Sequence, residues 1–396
     1  MKIGIYNEPS DSGIGGGEFS VAVLAEALGK KHEVEIVHHR TTLTPEQLSA
    51  LFDVDLTSVR LRYVEYQPET PGNGHNPWAL YQAAKSWHSN LSKPYDLFIN
   101  FGHNVPPFCH SKSGILMVLF PIFDRSTAWP WNLRVWDNTP VLRKCLRLLY
   151  NEWEWRKRLK SYRVKLANSR FTKHWAQFRW GVECQVLYPP VDDQFGSTDK
   201  RNMVLSVGRF VASGQKQQRE MVNTFLRMVE DGQRGWNFFT VGGVSNSPAD
   251  RAYFENVRRR ADGRDVHVKA NIERTELRSL YEQAKIFWHA AGYRMKEKMH
   301  PEMQEHFGIS TVEAMAAGCV PVVVKRGGQP EIVEHGVSGF LWDTLAELRE
   351  YTVQLMRDDS LLARMSREAR VRSQLFGRKM FVDQFEAILR NSGLTK

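Results

Sequence analysis

The chain has 396 residues, 42% of them hydrophobic and 25% charged, with 54 Lys+Arg against 44 Asp+Glu for a net charge of +10. That size fits about two to three globular domains with a sizeable core, and the balance excludes a disordered chain or a fibre. The longest apolar run, residues 115–123, is broken by Pro121 and falls far short of the roughly 18 residues a membrane span needs. The first residues read as a strand rather than a signal peptide. Cys109, Cys145, Cys184 and Cys319 lie far apart without CxxC or zinc spacing, which points to a reduced, cytoplasmic protein.

A basic balance points to an anionic partner such as nucleic acid, a membrane surface or a phosphorylated substrate. The excess is local. Residues 125–179 hold 14 basic and 3 acidic residues, and the remainder is near balance at 40 and 41.

The predicted elements alternate strand and helix. Residues 2–6 form an apolar strand, and 18–28 follow a helical period with Val21, Leu24, Ala25 and Leu28 on one face. A second strand covers 32–39. Thr44-Pro45-Glu46-Gln47 is a helix start, with Thr as cap, Pro at the first position and Gln closing a capping box. Residues 60–66 are strand-like, 76–91 helical, and 95–100 and 114–120 read as buried strands. A long amphipathic helix spans 141–162, with Leu142, Leu146, Leu149 and Trp153 along one stripe. Strands at 164–168 and 185–188 lead to Tyr188-Pro189-Pro190-Val191-Asp192, a linker stiffened by two prolines. A second series then begins, with strands at 203–208, 236–242, 265–268, 285–290 and 320–325. Such alternation implies parallel sheets with helices on both faces. The expected fold class is α/β, with two Rossmann-like doubly wound domains, 1–190 and 191–375, facing a central cleft, and a terminal helix, 376–396, packing back on the first.

Three segments can carry chemistry. Gly13-Ile14-Gly15-Gly16-Gly17-Glu18 lies between the first strand and helix, where glycines let backbone approach a ligand and a helix N-terminus offers N–H groups to an anion. The dinucleotide fingerprint fails there, because the loop is too long and Glu18 stands at the third glycine position; a plain flexible turn stays open. Arg209, after Val207-Gly208, and Lys216 follow a strand end, where two cations could neutralise a diphosphate or be ordinary solvated charges. Glu305-His306-Phe307-Gly308-Ile309-Ser310-Thr311-Val312-Glu313 is the most informative. It sets two carboxylates eight positions apart, and Ser310 with Glu313 forms a capping box for a short helix, 311–317, stopping at Gly318. Glu305 before the helix and Glu313 on its first turn could reach two sides of a ligand whose phosphates sit at the helix end.

That block, continued by Ala314-Met315-Ala316-Ala317-Gly318-Cys319-Val320-Pro321 and by Gly327-Gly328-Gln329-Pro330-Glu331, resembles the C-terminal signature of glycosyltransferase family 4. The resemblance implies the two-domain GT-B fold and a retaining, metal-independent transfer of a hexose from a UDP-sugar, with glucose preferred. The acceptor would be a glycan or lipid-linked oligosaccharide in polysaccharide biosynthesis, and no cofactor is implied. In that family's terms Glu313 binds the ribose hydroxyls and Glu305 the transferred sugar. Phe307, Gly308, Ile309 and Ser310 supply backbone N–H groups, and Arg209 and Lys216 stabilise the departing diphosphate. Gly16 and Gly17 approach from the opposite domain, and the base lies near Gly242-Gly243 and Asn271-Ile272. Many members carry an N-terminal-domain histidine near the reaction centre. Here the matching stretch is Val118-Leu119-Phe120-Pro121, with Leu119 in its place, and His103 is the candidate stand-in. Asp53-Val54-Asp55 matches the DxD metal motif of another glycosyltransferase fold, but it follows a helix rather than a nucleotide-binding strand, so no metal site is expected.

The stretch 125–180 also holds seven of the twelve tryptophans. Tryptophan favours the membrane interface and Lys/Arg attract anionic lipid, so this stretch is expected to meet an anionic membrane surface at the inner face; a core helix with a solvated basic side is the plainer reading. No nucleic-acid module is present. A GT-B-shaped UDP-sugar epimerase and a non-catalytic nucleotide-sugar-binding protein remain as alternatives.

Overall fold

The computed structural model describes residues 1–7, 15–66, 77–102, 105–122, 153–196, 198–261 and 265–394, with backbone alone for 77–83. The chain divides into two compact units, Met1–Pro189 with Phe381–Lys396, and Pro190–Met380.

The first unit is built on β1 (Lys2–Asn7), β2 (Glu33–His38), β3 (Val59–Tyr63), β4 (Leu97–Gly102), β5 (Ser113–Val118), β6 (Val164–Ala167) and β7 (Gln185–Val186). They form one sheet in the order β3-β2-β1-β4-β5-β6-β7, with every pair parallel. Its central strands are apolar on both faces because both faces are covered. Ile3, Ile5 and Ile99 pack with Val21, Leu24 and Leu28 of the helix Gly16–Gly29, and Phe381, Phe385 and Leu389 of the last helix, Arg378–Asn391, join this cluster. Tyr6, Phe98, Leu116 and Tyr162 fill the other side.

Local chemistry sets several element ends. Thr44 Oγ1 accepts the Gln47 N–H at 3.2 Å and Gln47 Oε1 accepts the Thr44 N–H at 3.2 Å, so the capping box opens the helix Pro45–Phe52 as its residues dictate. Asp53, at φ 52°, closes that helix, and Asp55 Oδ1 accepts from the backbone N–H and hydroxyl of Thr57 at 3.0 and 2.7 Å. The DxD pair thus serves a helix end and a turn.

Of the long basic helix expected at 141–162, residues 153–160 are helical, and 141–152 lie outside the described residues, as does His103. Four tryptophans of the 125–180 stretch are described. Trp155, Trp175 and Trp180 are core residues, 3%, 7% and 2% exposed, which corrects their reading as interface anchors; Trp153 is 54% exposed with the Lys157 ammonium over its ring.

The second unit carries β8 (Arg201–Val207), β9 (Asn237–Gly242), β10 (Val266–Ala270), β11 (Ala284–His289), β12 (Val320–Val324) and β13 (Phe340–Trp342), all parallel, in the order β10-β9-β8-β11-β12-β13. The short β13 has too few residues to show a period. Phe225, Phe238, Trp288 and Trp342 fill the core, and the buried Trp288 indole donates to Thr352 Oγ1 at 2.9 Å. From β8 the chain runs outward through β9 and β10, then crosses back to place β11 on the other side of β8. This reversal opens a crevice at the carboxyl ends of β8 and β11, the place where open α/β sheets bind ligands.

Candidate active site

The site is assembled at that reversal. β8 ends in the turn Gly208-Arg209, held by Gln218, whose Nε2 donates to the carbonyls of Gly208 and Arg209 at 2.9 and 3.0 Å. Gln218 Oε1 accepts from the Tyr253 hydroxyl at 3.2 Å. β9 ends close by, since a Cβ on Gly242 would lie 2.0 Å from the Gly208 carbonyl oxygen. Arg209 is exposed and passes beside Gly243. Asn271, at φ 53°, follows β10 and accepts the Val244 N–H at 2.9 Å. The turn segments expected near a nucleobase therefore sit at neighbouring strand ends.

Lys216 lies along Gly208 and reaches across to the end of β11. Its Nζ is 2.5 Å from Glu305 Oε2. His289, the last residue of β11 and 3% exposed, donates from Nε2 to the same oxygen at 2.8 Å, and Gln329 Nε2 lies 3.3 Å from His289 Nδ1. Burial opposes ionisation of Glu305, but the Lys216 charge and the His289 hydrogen bond outweigh it and hold the carboxyl well below its usual range. Burial likewise lowers His289, against the pull of Glu305, so the imidazole is neutral. The Glu305 backbone is fixed too: its carbonyl accepts the Gly328 N–H at 2.8 Å. Gly327, at φ 58°, passes so close that a Cβ would come within 2.2 Å of that carbonyl oxygen.

The helix start differs from the expected Ser310 cap. The helix is Ile309–Ala316 with Gly308 as its N-cap, at φ 127°. Only glycine fits there, since a Cβ would meet Gln329 Nε2 at 2.6 Å. Ser310 therefore lies inside the first turn and Glu313 beyond it, so the two do not form a capping box. Thr311 and Val312 donate to the Gly308 carbonyl at 3.0 and 3.2 Å, so Ile309 and Ser310 carry the N–H groups ahead of the first intrahelical bond, at the helix end that favours an anion. The Glu313 carboxylate instead accepts the Tyr281 hydroxyl at 2.9 Å. Burial pushes Glu313 up to about 7, with Tyr281 and Arg274 opposing and Asp192 adding to the rise. Burial also holds the Tyr281 hydroxyl well above its ordinary range.

Residues 190–372 match the family model described as glycosyl transferases group 1. This stretch is a group 1 glycosyltransferase domain. Over 224 residues, 52% of the chain, the sequence is 29% identical to the Dictyostelium discoideum GDP-Man:Man(3)GlcNAc(2)-PP-Dol alpha-1,2-mannosyltransferase, and the match spans 42% of that relative's length. Among solved structures, Anabaena Alr3699/HepE in complex with UDP and glucose aligns with a TM-score of 0.65 at 17% identity, over 99% of this chain and 100% of that one. Sucrose-phosphate synthase from Thermosynechococcus elongatus aligns with a TM-score of 0.68 at 16% identity, over 98% of each chain. At these identities the likeness establishes the fold, which is that of GT-B glycosyltransferase structures.

Within the glycosyltransferase domain, Arg209, Lys216, Glu305, the Phe307–Ser310 turn and Glu313 all lie in one unit, and Lys216 and Glu305 touch. Gly16 and Gly17 belong to the other unit, at the start of the helix Gly16–Gly29. There Glu18 Oε2 accepts the Gly15 N–H at 2.9 Å and Glu18 pairs with Arg40 at 3.7 Å, so a carboxylate already serves that helix end. The Leu119 side chain packs 3.9 Å from where a Gly17 Cβ would be. The residue in place of the family histidine is thus hydrocarbon beside the glycine turn. Sequence reasoning missed His289, Tyr281 and Gln329. The one available signal for His289 was a histidine closing an apolar strand, and nothing in its 16-residue separation from Glu305 announces their contact.

Proposed function

We propose that the chain is a retaining, metal-independent glycosyltransferase that moves a hexose from a UDP-sugar to a glycan or lipid-linked oligosaccharide acceptor in polysaccharide biosynthesis. The observation that carries this reading is the Lys216–Glu305–His289 cluster beside the Gly308 helix N-terminus. A diphosphate at that N-terminus meets the N–H groups of the helix start, Lys216 and Arg209. Glu313 accepts hydrogen bonds from the ribose hydroxyls, and Glu305 from a hydroxyl of the sugar. As the glycosidic bond breaks, negative charge grows on the leaving diphosphate, where fixed cations and backbone dipoles lower the barrier with no metal or cofactor. The acceptor hydroxyl attacks from the face the diphosphate leaves and gives its proton to the departing phosphate, so the glycoside forms with retention and UDP is released. Support for UDP and glucose comes from the Anabaena complex. A GDP-mannose donor is the second reading, favoured by the name of the Dictyostelium relative, which also carries a lipid-linked acceptor.

Titration with UDP, GDP and their sugars, read by thermal shift, decides the donor, since a ligand of the native state raises its apparent stability. Transfer is expected to survive EDTA; loss on chelation with recovery on Mn²⁺ would refute the metal-free reading. An epimerase would interconvert UDP-sugars without releasing UDP.

The 125–180 stretch, with its local excess of cations, is proposed to dock on an anionic membrane near the acceptor. Flotation with anionic vesicles at low salt should carry the protein upward, and absence of binding there removes this part of the proposal.

A further inference from the structure

Two donors converge on one oxygen of Glu305, and their roles differ. Lys216 Nζ, 2.5 Å from Oε2, ends a flexible stem, and in the proposed function it also serves the donor diphosphate. His289 is fixed at the end of β11 and buried, and its Nε2 reaches the same Oε2 at 2.8 Å. The Gln329 amide, fully buried, stands at His289 Nδ1 at 3.3 Å. An amide N–H facing Nδ1 makes that nitrogen the acceptor and leaves the proton on Nε2, aimed at the carboxylate. Among the described residues no hydrogen bond reaches Glu305 Oε1, so one oxygen is anchored and the other is available to a hydroxyl of the donor.

We propose that His289 is a positioning residue for Glu305: through the chain Gln329–His289–Glu305 it holds the carboxylate in place when Lys216 swings from Glu305 to the donor diphosphate. The inference rests on the transferase reading. When Lys216 engages the diphosphate, Glu305 loses the one cation that pairs with it among the described residues, and without His289 the side chain is free to rotate away from the sugar. A displacement of about 1 Å at such a group costs on the order of 10²-fold in rate.

The test compares His289→Leu, which fills the space without a donor, with His289→Gln, whose Nε2 stands at the same reach from Cα as the imidazole Nε2. His289→Leu is expected to lower kcat by about 10²-fold, with the dissociation constant for UDP or GDP alone changed by less than about threefold. His289→Gln is expected to restore at least about tenfold of the lost kcat. Imidazole ¹⁵N shifts of the wild-type protein should show a neutral ring protonated at Nε2, assigned by its disappearance in His289→Gln. Equal loss in both variants, loss of nucleotide binding together with kcat, or an imidazolium signal at neutral pH would overturn the proposal. Wild-type protein that binds no nucleoside diphosphate and turns over no nucleotide sugar would instead bring down the transferase reading, while the ¹⁵N result would still report the hydrogen-bond chain.

Discussion

Glu305→Gln and Lys216→Ala are each expected to reduce turnover by about 10²- to 10³-fold, the usual cost of removing one group that stabilises charge developing in a transition state. The two side chains meet at 2.5 Å, with 18% and 20% of their side-chain surface exposed. Their removal therefore does not open a sealed core, and both variants should fold. Glu305→Gln keeps the shape and can still accept from His289, so it isolates the charge. Because the two residues touch, the double variant should lose less than the product of the single losses. Steady-state kinetics with saturating donor, alongside a melting curve, reads all three proteins. Near wild-type turnover in both single variants would remove this cluster from the chemistry.

The second large effect concerns Glu313, where stability and binding should move in opposite directions. Its folded pKa of about 7 stands above the ordinary 4.5 because burial disfavours the carboxylate. Between those values the folded chain holds the proton that the unfolded chain releases, so this group's contribution to stability falls as pH rises through that window and is least favourable above it. Glu313→Gln removes the buried charge and keeps an acceptor for the Tyr281 hydroxyl. It should raise the melting temperature at pH 8 and change it little at pH 5. Donor binding should respond the other way, because the ionised carboxylate accepts two ribose hydroxyls and the protonated one accepts them poorly. Wild-type affinity for the nucleoside diphosphate should weaken as pH falls from 8 to 6, while the variant binds about tenfold or more weakly at pH 8. Calorimetric titration at both pH values checks this; equal affinities in the two proteins would place the ribose elsewhere.

Much of the fold is legible in the residues because it depends on neighbours in the chain. The alternation of apolar runs with helical periods marks the strands of both sheets to within a few residues, except the three-residue β13. Thr44-Pro45-Glu46-Gln47 caps its helix with its own side chains. The Ser310–Glu313 spacing carries the same local signal, yet no such cap forms. There Gly308, at φ 127°, starts the helix earlier, and Gln329, a residue beyond the next strand, fills the space a side chain at that position would need.

The sequence by itself determined the parallel α/β architecture and the proline-marked division, and it offered the residues of the candidate site: two cations, two glutamates and a glycine turn. Tertiary structure alone decided who meets whom. Lys216 and Glu305 are 89 residues apart and touch only because the chain reverses its strand order between β8 and β11, which brings two strand ends into one crevice. The same reversal recruits His289, and because burial raises both glutamates, it is their partners, which no spacing encodes, that send them apart. Glu305 beside a cation is held ionised, and Glu313 under Tyr281 is poised near neutrality, so two carboxylates of one motif receive different chemistry from their surroundings.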